Sequence, residues 1–308
     1  MSKGEKKVKK IFKGIMPALV TPFMEDRKTV DEKAARELIE FLIDRGADGF
    51  YVLGSTGEGI HMEESERMRM CEIAVSAVAG RVPVIVHVAD MNFDRAVRLA
   101  QHAEKVGADA VSALPPLFFH YSNNDIYNYY KTLAAATDLP FVMYNHLAAN
   151  GGMSAELVSK LFEEENITGV KWTLNNYYGM MDLKDKTGGE LNIINGPDEM
   201  LLQGLSAGAD AGIGTTYNVM LPMYKEIYRA FNAGEVEKAK DAQRKADRII
   251  SVMFKYEVLP ATKYMCKLMG YPVGDCTRPF CKYSEEDAKA LEADLLAAGW
   301  DPKTCIVK

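Results

Sequence analysis

Two short runs, Pro140-Phe141-Val142-Met143-Tyr144-Asn145 and Ile167-Thr168-Gly169-Val170-Lys171-Trp172-Thr173, decide how this chain is read. Apart from Thr168, each is apolar up to a polar end and lacks the in–out alternation of a strand with one wet face. Such runs suit parallel strands covered on both sides. The stretch between them is long enough for a crossover helix. Working outward, the same unit recurs: Ile15–Val20, Gly49–Leu53, Pro83–Val88, Ala108–Ala113, Phe141–Tyr144, Gly169–Trp172, Asn192–Ile194 and Ala211–Gly214 are strand candidates. They are spaced by roughly 20 to 35 residues, with helical patterns between them, as a (β/α)8 barrel requires. A doubly wound open sheet would alternate similarly, and it is the number of strands that favours the TIM barrel.

The first helical stretch shows the quality of the pattern. Thr29 and Glu32 read as a capping box, Ala35, Leu38, Ile39, Leu42 and Ile43 form one apolar stripe, and Gly46 reads as the stop. After about Ala233 the strands end. Gly234–Tyr256, Pro260–Met269 and Ser284–Ala298 read as helices, the last opened by Ser284 and Asp287. The expected organisation is a basic tail at 1–10, an α/β barrel over 11–232 and an all-helical C-terminal extension over 233–308.

The 308 residues are 48% hydrophobic and 26% charged, which allows a large core and excludes a disordered chain. Lys and Arg total 37 against 43 Asp and Glu, a net charge of −6 that argues against a nucleic-acid partner. An anionic small molecule stays open, because one pocket can be positive in an acidic protein. No apolar run is long enough to span a bilayer. The charged stretch Lys3–Lys10 leads into a strand and not into a signal sequence, so the cytoplasm is expected. The five cysteines form no C-x-x-C pair; Cys276 and Cys281 read more simply as loop thiols than as metal ligands. His61, His87, His102, His120 and His146 lack ligand spacing, so no metal is expected.

In a barrel, chemistry sits at the C-terminal ends of the strands. Strand two ends in Gly54-Ser55-Thr56-Gly57-Glu58, where open backbone N–H groups and two hydroxyls suit a carboxylate or phosphate. The same residues would also serve as a plain strand–helix turn. Lys171 lies among apolar strand residues, a setting that disfavours an ammonium ion and leaves amine free to attack a ketone. A lysine that reaches the rim or pairs with a carboxylate is the simpler alternative. Tyr144 ends the neighbouring strand, where its phenol could relay protons to that amine. Asn195-Gly196-Pro197-Asp198-Glu199 follows strand seven; its carboxylates either favour a helix N-terminus or accept sugar hydroxyls. Gly214-Thr215-Thr216-Tyr217-Asn218 adds hydroxyls after strand eight.

In this order the motifs resemble the pyruvate-dependent class I aldolases, the family of dihydrodipicolinate synthase and N-acetylneuraminate lyase, from about Phe12 to at least Asn218. The resemblance implies a homotetramer, no cofactor or metal, and a lysine that forms an imine with pyruvate. It puts the nucleophile on Lys171, the proton relay on Tyr144, hydrogen-bonded to Thr56, and the carboxylate-binding hydroxyls on Ser55 and Thr56. Synthases carry two threonines in the strand-two motif and an arginine five residues beyond the tyrosine; here Ser55-Thr56 and Ala149 stand there. Phe118 stands where synthases have a tyrosine that reaches the neighbouring subunit. These three departures point to the lyases, whose sugar-binding positions fall on Thr173, Gly196, Asp198, Glu199 and Thr215. Pro197 replaces an aromatic found in some lyases. The expected activity is reversible cleavage of N-acetylneuraminate (sialic acid) to N-acetylmannosamine and pyruvate. The alternatives are the synthase reaction, a related 2-keto-3-deoxy sugar acid aldolase, or a binding protein that kept the barrel; the Lys171–Tyr144–Thr56 set argues against the last.

Overall fold

The computed structural model describes residues 12–307; the basic tail expected at 1–10 lies outside them. Eight parallel strands form one sheet among the described residues: β1 (Gly14–Pro17), β2 (Phe50–Val52), β3 (Val84–His87), β4 (Ala110–Ala113), β5 (Phe141–His146), β6 (Ile167–Thr173), β7 (Asn192–Asn195) and β8 (Ala211–Gly214). β1 pairs with β8, and each strand from β2 to β7 pairs with its successor. The seam between β1 and β2 is closed by a parallel bridge from Ala18 to Tyr51 and by the Leu19 N–H donating to the Tyr51 carbonyl at 2.9 Å. This is the expected TIM barrel.

The helices α1 (Glu32–Asp44), α2 (Glu64–Val78), α3 (Phe93–Lys105), α4 (Asn123–Ala134), α5 (Ala155–Leu161), α6 (Tyr177–Lys186), α7 (Leu201–Ser206) and α8 (Tyr217–Asn232) each follow one strand and pack outside it. Ala35, Leu38, Ile39 and Leu42 bury the predicted stripe of α1. Its cap differs from the reading above. Asp31, not Thr29, is the N-cap and accepts from the Ala34 N–H at 3.0 Å. Thr29 is held two residues earlier, where its N–H and hydroxyl both donate to Asp26.

Beyond the barrel come α9 (Val236–Met253), α10 (Val258–Leu268) and α11 (Glu285–Ala297), with Ser284 capping α11 as expected. The extension is not all helical, however. β9 (Trp300–Asp301) and β10 (Ile306–Val307) form a short antiparallel ribbon. Trp300 anchors it by burial and by donating its indole N–H to the Val219 carbonyl of α8. No described helix is long and apolar enough to cross a membrane.

The foot of β1 depends on one glycine. Gly14 has φ +82°, and Asp48 fills the space where a side chain would start: a Cβ would come within 2.1 Å of Asp48 Oδ2. Asp48 in turn accepts the Ile15 N–H at 2.7 Å and pairs with Lys225 of α8 at 2.7 Å. A left-handed backbone costs an L-residue roughly 1–2 kcal/mol, and here the Asp48 carboxylate must also move. Gly14→Ala should therefore lower the unfolding free energy by about 2 kcal/mol or more in denaturant titration. An unchanged midpoint would show that Asp48 does not lock this end of the barrel.

Candidate active site

Parallel pairing sets the centre. Tyr144 on β5 stands opposite Lys171 on β6, and Lys171 stands opposite Ile194 on β7. Lys171 is only 5% exposed and Tyr144 3%. The Lys171 Nζ lies 4.2 Å from the centre of the Tyr144 ring and 4.7 Å from that of Tyr51. Tyr51 was not singled out from the sequence. Its ring meets Tyr144 edge to face, and its hydroxyl shares a 3.0 Å hydrogen bond with Ser112 Oγ. Two aromatic faces thus hold the amine at the end of its strand, in a setting where a cation or iminium is attracted to the π-systems.

His87, at the end of β3, also touches this group, with its ring 6.1 Å from that of Tyr144. Burial, joined by the charges of Arg67 and Lys171, pushes its pKa down to about 3. The imidazole is therefore neutral at ordinary pH, and its Nε2 accepts the Leu114 N–H at 3.2 Å. It supports the loop after β4 and is not an acid. His146, at the end of β5, is likewise shifted down, by burial and then by Lys171.

The loop after β2 turns sharply. Leu53 and Glu58, both non-glycine, adopt left-handed φ of 62° and 54°. Between them Ser55 is exposed and Thr56 buried. The hydroxyl of Thr56 shares a 2.7 Å hydrogen bond with Thr215 Oγ1. That partner differs from the expected Tyr144. It also draws Thr215 to the strand-two motif, although the sequence reading grouped Thr215 with the sugar-binding positions.

The remaining candidates gather around the ends of β6, β7 and β8. Thr173 closes β6 against Gly196, where a Cβ would lie 1.9 Å from Thr173 Oγ1; only glycine lets the two segments meet. Thr173 Oγ1 is buried without a hydrogen-bond partner. Asp198 and Glu199 form a single 3-10 turn (Asp198–Met200) ahead of α7. Asp198 is buried, and its Oδ2 accepts both the N–H and the hydroxyl of Thr216 at 2.7 Å. Thr216 passes the network to the Tyr224 hydroxyl at 2.6 Å. Burial pushes the Asp198 pKa up to about 7, against the two Thr216 bonds that favour the ionised form. Glu199 is half-buried beside it. The sequence places Thr216 among the hydroxyls after strand eight, but the family motif gives a binding role to its neighbour Thr215 alone, and the contact with Asp198 has no local signal.

The arrangement offers a buried amine flanked by a phenol, a hydroxyl pair on a tight loop and, on the opposite side of β6, two carboxylates with an unpaired hydroxyl. A model of the dihydrodipicolinate synthetase family matches residues 11–298. Among relatives, the N-acetylneuraminate lyase of Rhizobium meliloti is 36% identical over 292 residues, covering 94% of this chain and 97% of that protein. The N-acetylneuraminate lyase of Citrobacter koseri is 33% identical, covering 93% of this chain and 98% of its own. Among solved structures, the N-acetylneuraminate lyase of Proteus mirabilis superposes with a TM-score of 0.89 at 30% identity, over 93% of this chain and 98% of that one. A dihydrodipicolinate synthase from Aquifex aeolicus superposes with a TM-score of 0.88, also at 30% identity, over 93% and 98%. Lyase and synthase share this backbone, so their difference lies in side chains. The chain belongs to the dihydrodipicolinate synthetase family.

Proposed function

We propose that the chain is a class I aldolase that cleaves N-acetylneuraminate reversibly to N-acetylmannosamine and pyruvate. The observation that carries the chemistry is the buried Lys171 amine set between the Tyr144 and Tyr51 rings, with Tyr144 beside it in register. The keto acid carboxylate lies on Ser55 and Thr56, and Lys171 Nζ adds to the neighbouring ketone. Loss of water leaves a protonated imine, an electron sink next to the bond that breaks. Tyr144 takes the proton of the C4 hydroxyl, the C3–C4 bond cleaves, and N-acetylmannosamine leaves from an enamine of pyruvate. Proton return to the enamine carbon and hydrolysis release pyruvate and restore the amine. Holding a proton acceptor in reach is worth about 10²–10⁴-fold. Thr215, bonded to Thr56, orients that hydroxyl in this scheme.

The choice of lyase over synthase rests on the relatives' names and on Ala149. This residue is fully buried and brings no cation to a second substrate carboxylate. The sugar tail is assigned to Thr173, Gly196, Asp198 and Glu199. Thr173 supplies a buried hydroxyl free of protein partners, and Glu199 a carboxylate less enclosed than Asp198. We place the enzyme in the cytoplasm, where its five unpaired cysteines suit a reducing compartment. We propose a homotetramer, since the adjoining Phe118 and Phe119 are 85% and 67% exposed and suit contact with another subunit.

Hydrogen bonds to charged groups contribute roughly 1.5–3 kcal/mol. Glu199→Ala should then lower kcat/KM for N-acetylneuraminate cleavage about tenfold or more, while pyruvate still competes for Lys171. Condensation of pyruvate with aspartate semialdehyde should be negligible in wild type and variant. Robust synthase activity without sugar-acid cleavage would reverse the assignment.

Asp198 generates a pH prediction. Its carboxyl holds a proton more tightly in the folded chain than at the ordinary value of 3.8, so its contribution to stability is present below that pH and is lost as pH rises through about 7. Asp198→Asn cannot ionise. Thermal unfolding across about pH 4 to 8 should give a flatter profile for the variant than for the wild type. Parallel profiles would mean that the buried carboxylate is already ionised at acid pH.

A further inference from the structure

Glu58 closes the strand-two loop, only two residues from Thr56, yet nothing in the mechanism uses it. Its carboxylate is buried, with 1% of the side chain exposed, and lies 2.6 Å from Lys263 Nζ of α10, whose side chain is 2% exposed. Glu58 Oε2 also accepts the N–H of Thr277 at 2.6 Å and its hydroxyl at 2.7 Å. Lys263 donates to the Asp275 carbonyl at 3.2 Å. Arg27, from the loop after β1, reaches the same segment and donates to the carbonyls of Cys276 and Phe280. A stretch of the C-terminal extension is thus tied to the mouth of the barrel by three buried charged side chains from three separate elements.

Burying an ion pair gains little stability over an apolar pair of the same size, whereas removing one partner is strongly destabilising. What such a pair does supply is direction. Oε2 of the Glu58 carboxylate is fixed by both donors of Thr277, Oε1 faces the Lys263 ammonium, and the Glu58 backbone is held in the left-handed region at φ 54°. The Glu58 N–H donates back to the Ser55 carbonyl at 3.1 Å, so the orientation of Glu58 sets that of the turn carrying Ser55 and Thr56. We infer that the Glu58–Lys263 pair, with Thr277, positions the hydroxyls that receive the keto acid carboxylate, making the C-terminal extension part of the pyruvate subsite. This deepens the aldolase reading and rests on it. Glu58 and Lys263 are positioning residues, because neither touches the proposed substrate.

The test is the condensation of pyruvate with N-acetylmannosamine, with separate KM values for the two substrates. Small misplacements far from the chemistry can cost about 100-fold, so Lys263→Met should raise the KM for pyruvate about 10- to 100-fold. The KM for N-acetylmannosamine should change by less than about twofold, since the sugar end keeps its residues. Lys263→Arg should restore most of the loss. The double variant Glu58→Gln/Lys263→Met leaves no lone buried charge and guards against simple misfolding; it should keep the high KM for pyruvate. Thr277→Val removes a single hydroxyl and should give a smaller rise, about threefold, in the same direction. A double variant with the wild-type KM for pyruvate, no rise in Thr277→Val, or both KM values moving together would overturn the positioning role while leaving the aldolase intact. A wild type that condenses pyruvate with no aldehyde would remove the aldolase reading, and this inference with it.

Discussion

Neighbouring strands of a parallel barrel cannot slip by one residue without turning every side chain to the other face. The pairing of β5 with β6 is therefore the constraint on which the site depends. It sets Tyr144 beside Lys171 and His146 beside Thr173. A one-residue shift of β6 would carry the amine of Lys171 out of the cluster it forms with Tyr144 and Tyr51. The register shifts by one residue between Phe141 and Val142, and above that point it is held by apolar packing in which Val142, Met143 and Val170 are fully buried. The chemistry at the strand ends is in this sense set by the fit of the hydrocarbon layers beneath it.

A barrel that brings ionisable groups to its mouth must still satisfy them. The structure does so differently at each one. His87 gives up its charge, with its pKa pushed down to about 3, and serves as an acceptor for the Leu114 N–H. Asp198 keeps two donors from Thr216 and still has its pKa pushed up to about 7 by burial. Glu58 is matched to Lys263 at 2.6 Å. Around Lys171 the enclosure is aromatic, which leaves the amine free of any direct carboxylate partner among the described residues. For an amine proposed to form and release an imine, two ring faces steady the cation without holding the nitrogen in an ion pair.

Much of this was legible in the sequence because it is local. An apolar run ending in lysine, another ending in tyrosine, and a glycine-bracketed hydroxyl pair each carry their meaning within a few residues. The failures are of two kinds. Where several local options compete, the wrong one can be chosen: Thr29 matches a capping box, yet Asp26 captures it and leaves the cap to Asp31. Where the partner is distant, there is no local signal at all. Thr277 and Glu58 are 219 residues apart, and Thr56 finds Thr215 at a separation of 159. The β9–β10 ribbon escaped for a related reason, since strands of two residues lack any periodicity and Trp300 is anchored by α8.

The central claim is that Lys171 captures a keto acid as an imine. Borohydride reduction in the presence of pyruvate, followed by peptide mapping, addresses it directly. The account predicts one reduced pyruvate adduct per chain, on the peptide that contains Lys171, and none in Lys171→Ala, which should also lose turnover. A label on another lysine, or turnover that survives in Lys171→Ala, would contradict it.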